Sequence, residues 1–166
     1  MKKRCLCLFV ENEIGSLAKI TGLFSGKSYN LDSLTAGVTE DKTISRITIS
    51  LTSDDRTFEQ IKKQLNRSVE VIKAADYTDT AIHMKELMFV KVSSCSKKDI
   101  EEIFRISKVF HTAVIDYGRD AVLIESVKTE RQNNDLIALL GKCFANRIEI
   151  ARGGSVAVEA LGIAGV

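Results

Sequence analysis

The sequence predicts an α+β protein of two similar halves, each running strand, helix, strand, strand, helix, strand. Apolar residues pass from period two to helical spacing and back, in the same order, twice. A polar stretch, TDTAIHMKE, separates the two passes. The 166 residues are enough for two domains of about 80, each small but able to bury a core.

The first half opens at residues 4–10. Cys5, Cys7 and Phe9 fall on one face and Leu6, Leu8 and Val10 on the other, the pattern of a central strand buried from both sides. From Ser16, Leu17, Ile20, Leu23 and Phe24 recur at helical spacing, and Gly26 is placed to end that helix. Leu34, Ala36 and Val38 alternate, a polar TEDKT turn follows, and Ile47, Ile49 and Leu51 alternate again, which predicts a hairpin. Ser53 or Asp54 caps a second helix with Phe58, Ile61 and Leu65 on one face. Val69, Val71 and the residues to Tyr77 close the half with a strand.

The second half repeats the order. ELMFVKVS (86–93) is a strand, and Ile100, Ile103, Phe104 and Phe110 mark a helix after Lys97. HTAVIDY and DAVLIESV form a hairpin about Gly118. Leu136, Ile137, Leu140 and Phe144 mark another helix, and RIEIA is the last strand. This split βαβ, or ferredoxin-like, order predicts for each half a four-stranded antiparallel sheet with both helices on one face. The strands carry apolar residues at both parities, so the second face of each sheet is expected to be covered, by the other half or by a second chain. The resulting division is a first domain at 1–77, a linker at 78–86 and a second domain at 87–166.

Composition excludes several classes. A net charge of +2 favours neither nucleic acid nor an anionic membrane as partner. Sheets that read RNA expose aromatics on neighbouring central strands, whereas here the first strand has only Phe9 and the third, ITISL, has none. The opening MKKRCLCLFV has too short an apolar run for a signal peptide, and no stretch is long enough to span a bilayer, so a cytoplasmic protein is expected. Cys5, Cys7, Cys95 and Cys143 form no CxxC pair, and neither His83 nor His111 adjoins one of them, so no metal site is expected. No nucleophile, base and orienting group can be assembled, and no catalytic residue is expected.

The stretch ENEIGSLAKITGLF (11–24) takes the chain from strand to helix through Asn12 and Gly15 without a proline or a turn cluster. A helix N-terminus presents unpaired N–H groups and about half a positive charge, which suits a carboxylate or phosphate. Gly15 has no Cβ to keep a ligand from the backbone, Ser16 is placed to cap the helix, and the Asn12 amide offers a donor and an acceptor. An amino acid, anionic at one end and cationic at the other, matches such a corner. On spacing alone, Gly15 also reads as a turn residue, and Asn30, Asp32 and Ser33 as loop groups.

Residues 8–50 carry Glu11-Asn12, Gly15, Leu17, Leu23-Phe24, Tyr29-Asn30, Ser33-Leu34, Thr39-Glu40 and Ser45-Arg46 in that order. In this the chain resembles the N-terminal ACT domain of the regulatory (small) subunits of acetohydroxyacid synthase, also called acetolactate synthase. MKELMFVKVS and IEIARGG resemble the opening and closing strands of that family's second domain. One departure is Lys27-Ser28, where the family commonly has Arg-Gly.

The resemblance implies a non-catalytic partner of the large, thiamine-diphosphate-dependent catalytic subunit, which activates it and confers feedback inhibition by a branched-chain amino acid, usually valine. It implies no cofactor in this chain, since thiamine diphosphate, FAD and magnesium belong to the catalytic subunit. It also implies a homodimer paired through its ACT domains, with the effector at the pairing interface. Asn12, Gly15 and Asn30 match effector-binding positions, and Ile14, Ser16, Leu17 and Leu31 are their neighbours. Valine, leucine and isoleucine all remain open as effectors, because one methylene is worth only about 1–3 kcal/mol. A stand-alone two-ACT amino-acid sensor of another enzyme or pathway is the alternative.

Overall fold

The computed structural model describes residues 1–26 and 29–162. In chain order the elements are β1 (Lys2–Glu11), α1 (Ser16–Ser25), β2 (Ser33–Val38), β3 (Ile44–Ser53), α2 (Asp55–Leu65), β4 (Val71–Asp76), β5 (Ile82–Val92), α3 (Lys97–Phe110), β6 (Ala113–Tyr117), β7 (Val122–Lys128), α4 (Glu130–Cys143) and β8 (Ile148–Glu159). They build two four-stranded sheets, ordered β2-β3-β1-β4 and β6-β7-β5-β8. The α+β class and the repeated split βαβ order are therefore as the sequence predicts. The chain divides into one compact unit of Met1–Met84 with Ser155–Val166 and a second of Lys85–Gly154.

In the first unit β1 pairs antiparallel with β3 from Lys2↔Ser53 to Glu11↔Ile44, which makes it a central strand. Its helix-side residues Leu6, Leu8 and Val10 meet Ile47, Ile49 and Leu51 of β3, Ile20 and Phe24 of α1, and Phe58, Ile61 and Leu65 of α2 in one buried cluster. Burial of each such side chain is worth about 1.5–3 kcal/mol. Of the two cap candidates, Asp54 takes the role, its carboxylate accepting the Thr57 N–H at 2.8 Å. The other face of β1 is also closed. Cys5 and Cys7 are buried, and the guanidinium of Arg46 lies 5.3 Å from the Phe9 ring centroid. Part of that cover is the chain's own last segment, since Arg46 donates to the Ala157 carbonyl at 2.6 Å.

The second unit packs Met88, Val90 and Val92 of β5 against Ile103 and Ile106 of α3, Ile124 of β7, Leu136 and Leu140 of α4, and Phe144. Two core positions on the helices are polar. Asn133 is fully buried, donating to Glu86 at 2.9 Å and accepting from Ser126 at 2.6 Å, and Arg152 closes the network on Glu86. Ser107 takes the place on α3 that helical spacing offered to Phe104. Phe104 is instead 43% exposed and meets Tyr117 edge to face, with centroids 5.7 Å apart.

Three boundaries differ from the sequence reading. β5 begins at Ile82, inside the 78–86 stretch read as a linker, because Ile82 and Met84 alternate with His83 and Lys85 and extend the period of the strand. β8 continues past RIEIA to Glu159, beyond a left-handed Gly154 (φ +76°). β4 starts at Val71 and leaves Val69 exposed. The Lys27-Ser28 departure lies outside the described residues.

Candidate functional site

The corner between β1 and α1 is built by a left-handed glycine. Gly15 has φ +92° and ψ −13°, a conformation that L side chains rarely adopt, and it is the N-cap of α1. A Cβ at this position would meet nothing within 4 Å, so what requires glycine inside one chain is the backbone angle, with open space in front of it. Ser16 does not cap the helix as its spacing suggested. It is the first helical residue, its side chain is buried, and no side chain caps the terminus. The Ser16 N–H reaches the Glu13 carbonyl at 3.2 Å and Lys19 N–H the Gly15 carbonyl at 2.9 Å. Between them, the N–H groups of Leu17 and Ala18 have no partner among the described residues.

The other helices carry side-chain caps. Asp54 caps α2, Ser96 and Asp99 form a capping box on α3, and Thr129 and Gln132 form one on α4. The first turn of α1 also lacks an acidic residue. Its unmatched N–H groups and the positive end of its dipole are therefore available to an external anion.

The charges around the corner are mixed. Glu11 and Glu13 lie within electrostatic reach of the Lys19 ammonium. Lys19 also hydrogen-bonds Glu70, which accepts from Ser68 Oγ at 2.7 Å as well, and these bonds hold the Glu70 carboxyl down to about 2 from an ordinary 4.5. Donors for an anion beside carboxylates for a cation suit a zwitterion better than a phosphate.

Asn12 is exposed, but its amide is largely engaged. Its side-chain N–H donates to the Lys42 carbonyl at 2.9 Å, and its Oδ1 accepts from Ser45 Oγ at 2.9 Å. Its backbone N–H reaches the Thr43 carbonyl at 2.7 Å. One amide N–H and one lone pair are left for a ligand. Sequence spacing gave no sign of this role for Ser45, 33 residues away, although Ser45-Arg46 belongs to the family-like run. Ile14 is fully exposed and Leu17 is 45% exposed, so both apolar side chains stand free at the corner. Leu31 is half-buried against the core.

Asn30 is exposed and stands apart from this group. It precedes β2 at the end where Ser33 faces Ser50, whereas Asn12 is laced to Ser45, which faces Val38 at the other end. With about 3.3 Å per residue, the ends of six-residue β2 are about 17 Å apart. One chain thus brings Asn12, Ile14, Gly15 and Leu17 together and leaves Asn30 remote. No group of three or more His, Cys, Asp or Glu side chains placed to hold a metal occurs among the described residues. Nor is any helix among them long and apolar enough to cross a membrane.

Comparison with known proteins covers both halves. Residues 6–73 match the family model of the AHAS small subunit-like ACT domain, and residues 85–160 that of the small subunit of acetolactate synthase. The acetolactate synthase small subunit of Aquifex aeolicus is 39% identical over 159 residues, covering 96% of this chain and 82% of the relative. The acetolactate synthase isozyme 3 small subunit of Escherichia coli is 33% identical, covering 95% of each chain. The crystal structure of the acetolactate synthase small subunit from Thermotoga maritima superposes with a TM-score of 0.87 at 30% identity, over 98% of this chain and 100% of that one. Architecture and sequence agree, and the chain belongs to the acetolactate synthase small-subunit family.

Proposed function

We propose that this chain is the regulatory subunit of an acetolactate synthase in branched-chain amino-acid synthesis, and that it binds valine, or leucine or isoleucine, at the α1 corner. It performs no chemistry itself. It binds the catalytic large subunit in the cytoplasm, raises its activity and transmits feedback inhibition, while thiamine diphosphate, FAD and magnesium stay with the catalytic subunit. The observation that carries the reading is the uncapped start of α1 behind a left-handed glycine, in a family of small subunits. The effector carboxylate lies on the free Leu17 and Ala18 N–H groups, its ammonium faces the Asn12 oxygen and the neighbouring carboxylates, and its branched side chain rests on Ile14 and Leu17.

The remoteness of Asn30 supports a site shared between two copies. β2 is an edge strand without a charged side chain or a bulge, paired with β3 in unbroken register from Ser33 to Val38. Two such edges related by a two-fold axis run antiparallel, which sets the Asn30 end of one copy against the corner of the other. Each site then takes Asn12 and Gly15 from one chain and Asn30 from its mate. A ligand held in this way shifts the arrangement of the two chains if its affinity differs between arrangements, and coupling of about 1–3 kcal/mol changes affinity about 5- to 150-fold. An amino acid has few atoms, so micromolar to millimolar affinity is expected.

Titration calorimetry of the purified chain, alone and with its catalytic subunit, with valine, leucine, isoleucine, serine and phenylalanine in turn tests the reading. Saturable binding of a branched-chain member is expected. Absence of heat with all of them in a folded, dimeric chain and in the complex overturns it.

A further inference from the structure

We propose that Ser45 is a positioning residue of the effector site, acting on the ligand only through Asn12. The inference rests on the effector reading above and adds to it a residue outside the corner.

Asn12 follows the last residue of β1, and both side-chain hydrogen bonds it makes among the described residues go to another part of the chain. What fixes it is the β2–β3 turn and the start of β3, through three bonds: backbone N–H to the Thr43 carbonyl (2.7 Å), amide N–H to the Lys42 carbonyl (2.9 Å) and the Ser45 hydroxyl to Oδ1 (2.9 Å). The turn is itself held. Asp41 accepts from the Thr43 N–H at 2.9 Å and from the Thr43 hydroxyl at 2.7 Å, and these bonds lower its carboxyl below the ordinary range.

The Lys42 carbonyl decides which way the Asn12 amide is turned, and the Ser45 hydroxyl then holds it there. A backbone carbonyl can accept only from the amide nitrogen, which places Oδ1 on the Ser45 side, where the hydroxyl donates to it. The two bonds therefore exclude the flipped amide, in which two acceptors would face each other at the Lys42 carbonyl. They also leave one N–H and one lone pair of the amide in fixed directions. Without the Ser45 hydroxyl, one constraint on the amide is lost. An ammonium or carboxylate that uses the remaining groups must then order the side chain itself.

The test is a double-mutant cycle in the full-length chain, read by titration calorimetry with valine, leucine and isoleucine, alongside melting temperature. Ser45→Ala is expected to raise the effector dissociation constant about 3- to 10-fold, the range for one lost hydrogen bond. Ser45→Thr, which keeps the hydroxyl, is expected to restore it. In an Asn12→Ala background the Ser45→Ala change is expected to have no further effect, because its target is gone. Unchanged affinity in Ser45→Ala overturns the proposal, as do effects of Asn12→Ala and Ser45→Ala that multiply, or a Ser45→Thr variant as weak as Ser45→Ala. If the unsubstituted chain binds none of the three amino acids, alone or with the catalytic subunit, the effector reading has failed first and this inference goes with it.

Discussion

The starts of α1 and α3 occupy the same place in the two repeats and are finished in opposite ways. At α3, Ser96 and Asp99 exchange hydrogen bonds at 2.9 and 3.2 Å, and Arg147 pairs with Asp99 at 3.0 Å, so the start carries a side-chain cap and a carboxylate from its own chain. At α1, Gly15 takes a left-handed turn and nothing caps the helix. The edge strands differ in the same sense. β6 carries Asp116 and a register shift between Val114 and Asp116, features that discourage edge pairing, whereas β2 is uncharged and regular. One fold, built twice, has a capped helix start and an interrupted, charged edge in one copy, and an uncapped start and a regular, uncharged edge in the other. The uncapped repeat is the one suited to a ligand and a second chain.

Substitutions can break that contrast. The largest effect is expected from Gly15→Asp, which sets a negative charge before the free N–H groups; calorimetry should show affinity reduced more than about 100-fold, or ~2.7 kcal/mol. Gly15→Ala carries the same φ strain without the charge and is expected to lose only about 10-fold. Equal losses in the two variants would assign the effect to backbone strain and remove the anion site. Next, Ala36→Lys on β2 should weaken the proposed dimer at least about 10-fold in sedimentation equilibrium, as charges guard edges elsewhere. Ile115→Lys on β6 should leave the dimer unchanged, and the reverse pattern would move the pairing edge to the second unit.

Smaller effects are expected where a helix start is already capped. Ser96→Ala should lower unfolding stability by about 1 kcal/mol in denaturant titrations and leave effector affinity untouched. A change in affinity there would show that the second unit's helix start takes part in the site. The smallest effect is expected from Glu70→Gln. The folded-state pKa of Glu70 is depressed from 4.5 to about 2 by its bonds to Lys19 and Ser68, so the ionised carboxylate stabilises the fold above pH ~4.5 and that contribution is lost as pH falls toward 2. The melting-temperature difference between the wild type and Glu70→Gln should therefore be full at pH 7 and shrink across that interval. A difference that stays constant with pH would show that the carboxylate's charge is not what matters.

Much of this architecture is legible in the sequence, because the core strands and helices announce their buried faces by spacing. Leu6, Leu8 and Val10 and the α2 stripe of Phe58, Ile61 and Leu65 are buried as read. What spacing hides is polar substitution within an apolar pattern. The start of β5 looks like a linker because His83 and Lys85 sit between Ile82 and Met84, and Asn133 holds a core position of α4 only because Glu86 and Ser126 satisfy its amide. At the corner, the unusual glycine is visible in the sequence, but the φ of +92° is not. The lacing of Asn12 by Ser45 is equally hidden, since a hydrogen bond across 33 residues leaves no periodic trace. Ser16 misleads for a local reason: with left-handed Gly15 as the N-cap, the helix begins at Ser16, one residue earlier than a serine cap would require.

The central claim, an effector site shared between two uncapped repeats, is tested most directly by calorimetry of a mixed dimer. One chain carries Gly15→Asp and the other Asn30→Ala, with valine or whichever branched-chain amino acid the unsubstituted chain binds as ligand. If each site joins the corner of one chain to Asn30 of the partner subunit, both lesions fall in one site and the other is intact. The account predicts half the wild-type stoichiometry at wild-type affinity. A mixed dimer with no site of wild-type affinity would place Asn30 and Gly15 in the same site of the same chain, and would contradict it.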